Sequence, residues 1–254
     1  MRRYFAAALG TVALVAGLVA PAAAVRGLPT GTDVDYQLGG ARPVPAHVGI
    51  VVRDRHDSPV PGRYNVCYLN GFQTQPDERA FWRRHWSLVL KRDGHPVVDQ
   101  AWGEWLLDTR TAARRSAIAG IVGRWIAGCA RRGFAAVEYD NLDSFSRSRG
   151  MIAPRHNRAL ARLLVARAHG AGLAAGQKNW PEWDGRAAGY DFVIAEECGR
   201  WHECWRYVRS YGDRVLVVEY RQVDFDRTCT AWGNRLAVVL RDRDLSTTGV
   251  RAWC

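Results

Sequence analysis

Beyond its first two dozen residues the chain has no long hydrophobic run. No later stretch approaches the roughly 20 consecutive apolar residues that a spanning helix needs, so no membrane-spanning helix and no stable membrane insertion are expected there. No G-x-G-x-x-G follows any strand-like segment, which leaves a dinucleotide site without support. The four-ligand spacing of a structural zinc site is missing, and His202 beside Cys204 does not replace it. Neither a metal nor another cofactor is expected. The arginines are scattered, with no long basic run and no interleaved aromatic RNA motif. They read as a solvated exterior, and nucleic acid is not the expected partner.

What is present starts with a leader. Met1-Arg2-Arg3 is a short basic start, Phe5 to Ala20 is apolar, and Ala22-Ala23-Ala24 is a small-residue cleavage site. This pattern predicts a secretory signal peptide over residues 1–24 and a single domain over 25–254. Gly10, Thr11, Gly17 and Pro21 interrupt the run and favour cleavage over retention as an anchor. Removing Arg2 and Arg3 leaves 34 basic against 25 acidic residues, a net charge of +9. Six cysteines remain: Cys67, Cys129, Cys198, Cys204, Cys229 and Cys254. An even count in an exported chain reads as three disulfides. Cys198–Cys204 would be a short loop staple and Cys229–Cys254 would tie down the C-terminus. Cys67–Cys129 follows by elimination.

Apolar strand-like segments recur at 34–38, 49–53, 64–69, 135–140, 173–178, 191–196, 215–219 and 236–241. A short ninth, 105–108, can lie outside the sheet. Ile118, Ile121, Val122, Trp125, Ile126 and Cys129 recur at three- and four-residue spacing and predict a helix over 112–132. Pro154 opens another that runs to about His169, and 78–89 has helical composition. Eight strands alternating with helix-sized intervals predict a compact, disulfide-stapled (β/α)8 TIM barrel; an open doubly wound sheet is the alternative.

The organising stretch is Ala135–Phe145, AAVEYDNLDSF. In a strand Glu138 and Asp140 point one way and Tyr139 the other. Taken alone, this is an acidic turn capping the next helix. Other strands, however, also end in chemistry. In a barrel those ends converge, bringing together Asp140, Lys178, Glu196, Glu219 and Asp242, with Asn141, Asn179 and Tyr220 beside them. Paired carboxylates cleave glycosidic bonds, one as acid and one as nucleophile or base. Lys178 would help keep one of them ionised. Trp180, Trp183, Trp201 and Trp205 fall in loops after these strands, where indoles can stack on sugar rings, whereas Trp82, Trp86 and Trp125 read as core.

Several stretches resemble glycoside hydrolase family 114, the endo-α-1,4-polygalactosaminidase family. They are Tyr36-Gln37-Leu38, VCYL at 66–69, WLLDTR at 105–110, VEYDNLDSF at 137–145, GQKN at 176–179 and DFVIAEECGRWHEC at 191–204. VEY at 218–220 and VLRDRDL at 239–245 complete the set. The resemblance implies a (β/α)8 barrel that cleaves α-1,4-linked galactosamine polymers internally; the leader predicts secretion, and a monomer without cofactor is expected. It assigns the acidic pair to Asp140 and Glu196, choosing Glu196 over Glu197 where strand alternation alone does not decide. Asp140 would be the nucleophile and Glu196 the acid/base, or the reverse. Tyr36, Tyr68, Asp108, Asn141, Lys178, Asn179, Trp180, Glu219 and Asp242 would bind substrate. The chain departs from the family at Tyr139, often proline, and at Glu197, commonly glutamine. The competing readings are a glycosidase acting on a different polysaccharide, a non-catalytic polysaccharide-binding barrel, and a nucleic-acid or anionic-polymer binder driven by charge alone.

Overall fold

The computed structural model describes residues 25–254; the expected leader lies outside the described residues. Eight strands run parallel in sequence order: β1 Asp33–Gln37, β2 Val48–Asp54, β3 Tyr64–Asn70, β4 Ala136–Asp140, β5 Ala174–Lys178, β6 Phe192–Glu196, β7 Val215–Glu219 and β8 Ala237–Arg241. Val, Ile, Leu and Ala dominate them because each strand is buried on both faces. Alternate residues face a narrow interior, where Tyr36, Ile50, Val52, Val66, Phe192 and Val218 pack together. The intervening residues, such as Val137, Tyr139 and Val193, meet an outer layer of helices. At Gly176 the interior leaves no room for a side chain: a Cβ there would lie 2.7 Å from the Phe192 ring and 2.8 Å from Ile194.

A ninth strand, β9 Arg251–Trp253, pairs antiparallel with β8. Its side chains reach β1. The Trp253 indole N–H donates to the Val34 carbonyl at 2.7 Å, and the Arg251 guanidinium meets Asp35 at 2.6 Å. The C-terminus thus bridges the seam between the last and first strands of a nearly closed barrel. Cys229–Cys254 anchors this strap, Cys67–Cys129 ties β3 to a helix, and Cys198–Cys204 staples the loop after β6. All three pairings are those expected from the sequence. Replacing both Cys229 and Cys254 by Ser should lower the unfolding free energy by about 2–5 kcal/mol, read from guanidinium melts, because a 25-residue loop is released in the unfolded chain.

The outer helices are α1 Arg79–Arg84, α2 Ala112–Arg131, α3 Pro154–Gly170, α4 Cys204–Tyr211 and α5 Gln222–Trp232. Not every crossover is helical. Residues 38–47 and 55–63 join β1 to β2 and β2 to β3 as loops, and a single 3-10 turn, Gly185–Ala188, stands between β5 and β6. Prolines 43, 45, 59 and 61 explain the first two, since each removes an N–H that a helix needs. The expected 78–89 helix is α1 flanked by 3-10 turns. The 105–108 segment lies outside the barrel sheet. The long β3–α2 connection carries two small antiparallel ribbons, 91–92 with 95–96 and 98–99 with 104–105.

Candidate active site

Strand register brings the chemistry together at the C-terminal mouth. Asp140 ends β4 opposite Asn70 of β3; Lys178 ends β5 opposite Ile194; Glu196 ends β6 opposite Val218. The next residue is left-handed in each case: Asn141 at φ 63°, Asn179 at φ 48° and Glu197 at φ 56°. Non-glycine residues rarely adopt this region, and Asn tolerates it best. Three strands therefore turn away abruptly and leave their last inward side chains at the rim.

Lys178 is at the centre. It is one of only two lysines in the chain, alongside 34 arginines, and its side chain is 3% exposed. Its Nζ lies 3.1 Å from Tyr36 Oη, 2.9 Å from Glu138 Oε1, 3.2 Å from Asp140 Oδ1 and 3.3 Å from Glu196 Oε2. A compact ammonium can be approached from several sides, which a planar guanidinium cannot match. Each outer carboxylate has further donors. Tyr68 donates to Asp140 Oδ2 at 2.6 Å and the Asn141 N–H to Oδ1 at 2.8 Å. Tyr220 donates to Glu196 Oε1, and the Asn179 amide to Oε2 at 3.1 Å. Since one nitrogen holds both carboxylates, at 3.2 and 3.3 Å, their nearest oxygens are within about 6.5 Å of each other.

The charges are shared unequally. Burial opposes ionisation of Asp140, but Lys178, Tyr68 and the Asn141 N–H outweigh it and hold this carboxyl below its ordinary range. Glu138 is fully buried below the rim. Desolvation pushes it up to about 7, against the pull of Lys178 and with repulsion from Asp140. Its Oε2 has no hydrogen-bond partner among the described residues, in keeping with a carboxyl whose ionisation burial opposes. Burial likewise opposes the charge of Lys178, yet Asp140, Glu138 and Glu196 raise it well above its usual value. The lysine thus stays cationic.

The mouth opens into a cavity of about 390 Å³ lined by Tyr68, Asp99, Glu104, Asp140, Lys178 and Glu196, among others. A second chamber of about 680 Å³ adjoins it and shares Trp102, Asp143, Arg147, Asn179, Glu196, Tyr220 and Arg243. The first cavity is acidic although the chain is basic. Arg147 is engaged by Asp99 and Asp143, and Arg243 by Glu197. A binder of anionic polymers would require the opposite sign here.

The structure gathers Tyr36, Tyr68, Asp140, Asn141, Lys178, Asn179 and Glu196 at this mouth. Trp180 is only marginally there. It is buried against Phe145 and Trp183 and shows an edge to the second chamber, while Trp201, 60% exposed, is the open indole. Three expected site residues lie elsewhere. Asp108 is buried in ion pairs with Arg110 and Arg114. Glu219 points outward from β7, because the inward parity of that strand belongs to Leu216, Val218 and Tyr220; it accepts from the Gly199 N–H and Thr228. Asp242 accepts from the Ser246 N–H and holds the loop after β8. Tyr220 stands beside the site as expected, while the residues to which the sequence reading gives no role are Glu138, Arg147 and the Asp99–Glu104 wall with Trp102. Parity with Asp140 is a usable signal for Glu138. The wall has none, since it arrives on a two-residue ribbon inserted between β3 and α2.

Solved structures share this architecture. Aspergillus fumigatus Ega3, solved in complex with galactosamine, superposes with a TM-score of 0.74 at 17% identity, covering 91% of this chain and 98% of that one. The glycoside hydrolase domain of PelA from Pseudomonas aeruginosa gives 0.60 at 16% identity, covering 87% and 98%. No curated protein sequence matches the chain. The sequence does match the model of one family over residues 16–254, and so the chain belongs to the glycoside-hydrolase family GH114.

Proposed function

We propose that the protein is an exported hydrolase that cleaves α-1,4-linked galactosamine-containing polysaccharide within the chain, with Asp140 and Glu196 as its catalytic pair. The observation that carries this reading is the pair itself: two carboxylates on one buried ammonium, at the junction of two chambers. Glu196 lines both chambers and Asp140 only the first, so sugar units can lie on both sides of the scissile bond. That arrangement suits internal cleavage. The galactosamine in the Ega3 structure and the acidic cavity favour an amino-sugar polymer. The three disulfides favour an oxidising compartment.

The nucleophile must be ionised, and Asp140 has the environment that keeps it so. It attacks the anomeric carbon while Glu196 passes a proton to the departing glycosidic oxygen. Water then enters, gives its proton back to Glu196, and its oxygen displaces Asp140 from the same carbon. Lys178 holds the two side chains in register throughout. Carboxyl groups roughly 5–5.5 Å apart accompany retention, and those at 6.5–9.5 Å accompany inversion. Lys178 limits the nearest oxygens to about 6.5 Å, so the anomer of the first product decides between the two routes.

The test is reducing-end release from partly deacetylated α-1,4-galactosaminogalactan, with the products sized and the first-formed anomer read by proton NMR. A ladder of oligosaccharides with an α reducing end is expected. Monosaccharide alone would exclude internal cleavage, and a β product would exclude the double-displacement route.

A further inference from the structure

Glu104 has no part in the chemistry above, yet its construction is unusual. It sits on the ribbon that walls the first cavity and is 8% exposed. One carboxylate oxygen, Oε2, accepts from three side-chain amides: Asn70 at 3.0 Å, Gln73 at 2.8 Å and Asn141 at 3.0 Å. The other, Oε1, takes no hydrogen bond from the described residues and is not sealed in the protein interior. Three donors on one oxygen fix the orientation of the group and leave Oε1 to the cavity.

Its position relative to the nucleophile is equally specific. Asn141 links the two: its side chain donates to Glu104, while its backbone N–H donates to Asp140. In an amino sugar the nitrogen is on C2, bonded directly to the anomeric carbon that Asp140 would attack. A group that reads the C2 substituent must therefore stand beside the nucleophile, as Glu104 does. The nearby cations are already engaged, Lys178 by three carboxylates and Arg147 by Asp99 and Asp143. Glu104 has no ion-pair partner among the described residues.

We propose that Glu104 is a specificity-determining residue whose free Oε1 accepts a hydrogen bond from the C2 ammonium of the sugar bound next to Asp140, selecting unacetylated over N-acetylated units. This rests on the hydrolase reading above and names the residue that makes the distinction. An acetamido group offers a single neutral N–H and a bulky acyl arm in the same place. The titration of Glu104 is consistent with the role. Burial and the neighbouring charges of Asp140 and Asp99 push it up to about 7, against the Gln73 and Asn70 hydrogen bonds. Arg147 faces the same network through Gln73 and Asp99. An arriving ammonium stabilises the ionised form, so affinity for the amino sugar should fall as pH drops below about 7.

The experiment compares wild type with Glu104→Gln on defined α-1,4-galactosamine oligomers and on their N-acetylated counterparts. Gln keeps the shape and still accepts the three amide bonds, so a circular dichroism melt close to wild type is expected. KM for the unacetylated oligomer should rise roughly ten- to a hundredfold with kcat within about threefold, while kinetics on any acetylated oligomer that is turned over stay unchanged. A second measurement needs no variant: 1/KM of wild type for the unacetylated oligomer should fall on the acid side of pH 7, and the acetylated one should lack that limb. A Glu104→Gln enzyme with unaltered KM for the amino oligomer, or equal losses on both oligomers, overturns the assignment. If wild type cleaves neither oligomer, the hydrolase reading itself fails, and this one with it.

Discussion

Asp140→Asn and Glu196→Gln should each lower kcat on the galactosamine polymer by at least roughly a thousandfold while leaving a folded barrel. General acid–base assistance is typically worth about 10²–10⁴ in rate, and removing a nucleophile closes the covalent route altogether. Both substitutions preserve shape. In Asp140→Asn the amide oxygen can still accept from Tyr68 or the Asn141 N–H, and in Glu196→Gln it can still accept from Tyr220, so the loss measures chemistry and not collapse. The two variants differ in detail. Glu196→Gln should retain faster turnover of substrates whose leaving group needs no proton, such as an activated aryl glycoside. Asp140→Asn should not, because no carboxylate remains to attack C1. Steady-state kinetics on the polymer and on the aryl substrate check both statements. Activity that survives either substitution on the polymer would place the site elsewhere.

Lys178→Met should be the most damaging single change to stability. It leaves Glu138, Asp140 and Glu196 around a site with no counter-ion. Breaking a buried pair by removing one partner typically costs about 3–5 kcal/mol, because the remaining charge is uncompensated. The pH dependence follows from the signs. In the wild type the carboxyl of Asp140 is held below its unfolded value, so its contribution to stability is complete above that value and is lost as pH falls through the folded one. Without the lysine the same carboxyl is raised instead. The variant is then penalised at neutral pH and relieved as acid protonates the cluster. The gap in unfolding free energy between Lys178→Met and wild type should therefore be widest near pH 7 and shrink towards pH 4, measured by urea melts at each pH. A constant gap would mean that Lys178 acts through packing alone. Activity should fall at least a hundredfold at every pH, since an ionised Asp140 and its alignment with Glu196 both depend on this one nitrogen.

Much of this architecture is legible in the sequence because it is local. Strand after strand is a short apolar run closed by a polar residue, and each observed strand begins and ends within two residues of its expected bounds. Parity inside β4 puts Glu138 and Asp140 on one face and Tyr139 on the other, and the buried ring of Tyr139 lies among the outer-layer side chains. The cysteines form the three expected pairs, two expected from their places in the chain and Cys67–Cys129 by elimination, out of fifteen possible pairings. Chain order and alternation determine the strand bounds and their parity, and neither needs a third dimension.

What stays hidden depends on which way a side chain points once the sheet curls. Glu219 ends a strand as Asp140 and Glu196 do, and the strand pattern alone predicts it at the mouth. The inward positions of β7 are Leu216 and Val218, so Glu219 is turned to the helix layer and Tyr220 takes its place beside Glu196. A one-residue difference in where a strand stops relative to its inward parity exchanges an interior residue for an exterior one. Asp108 and Asp242 follow the same pattern of an acid after an apolar run, but both serve loops and ion pairs outside the cavity. The wall formed by Asp99, Trp102 and Glu104 comes from a long connection with almost no regular structure, whose placement over the barrel is set by tertiary contacts such as Gln73 to Glu104 and Arg147 to Asp99. The sequence by itself determined the succession of strands and helices, because hydrophobic alternation is written residue by residue, while the choice of Asp140 and Glu196 rested on the family resemblance. Only the tertiary structure decided which of the acids share one lysine and which wall lines the cavity, because those depend on barrel closure and on contacts between residues tens of positions apart.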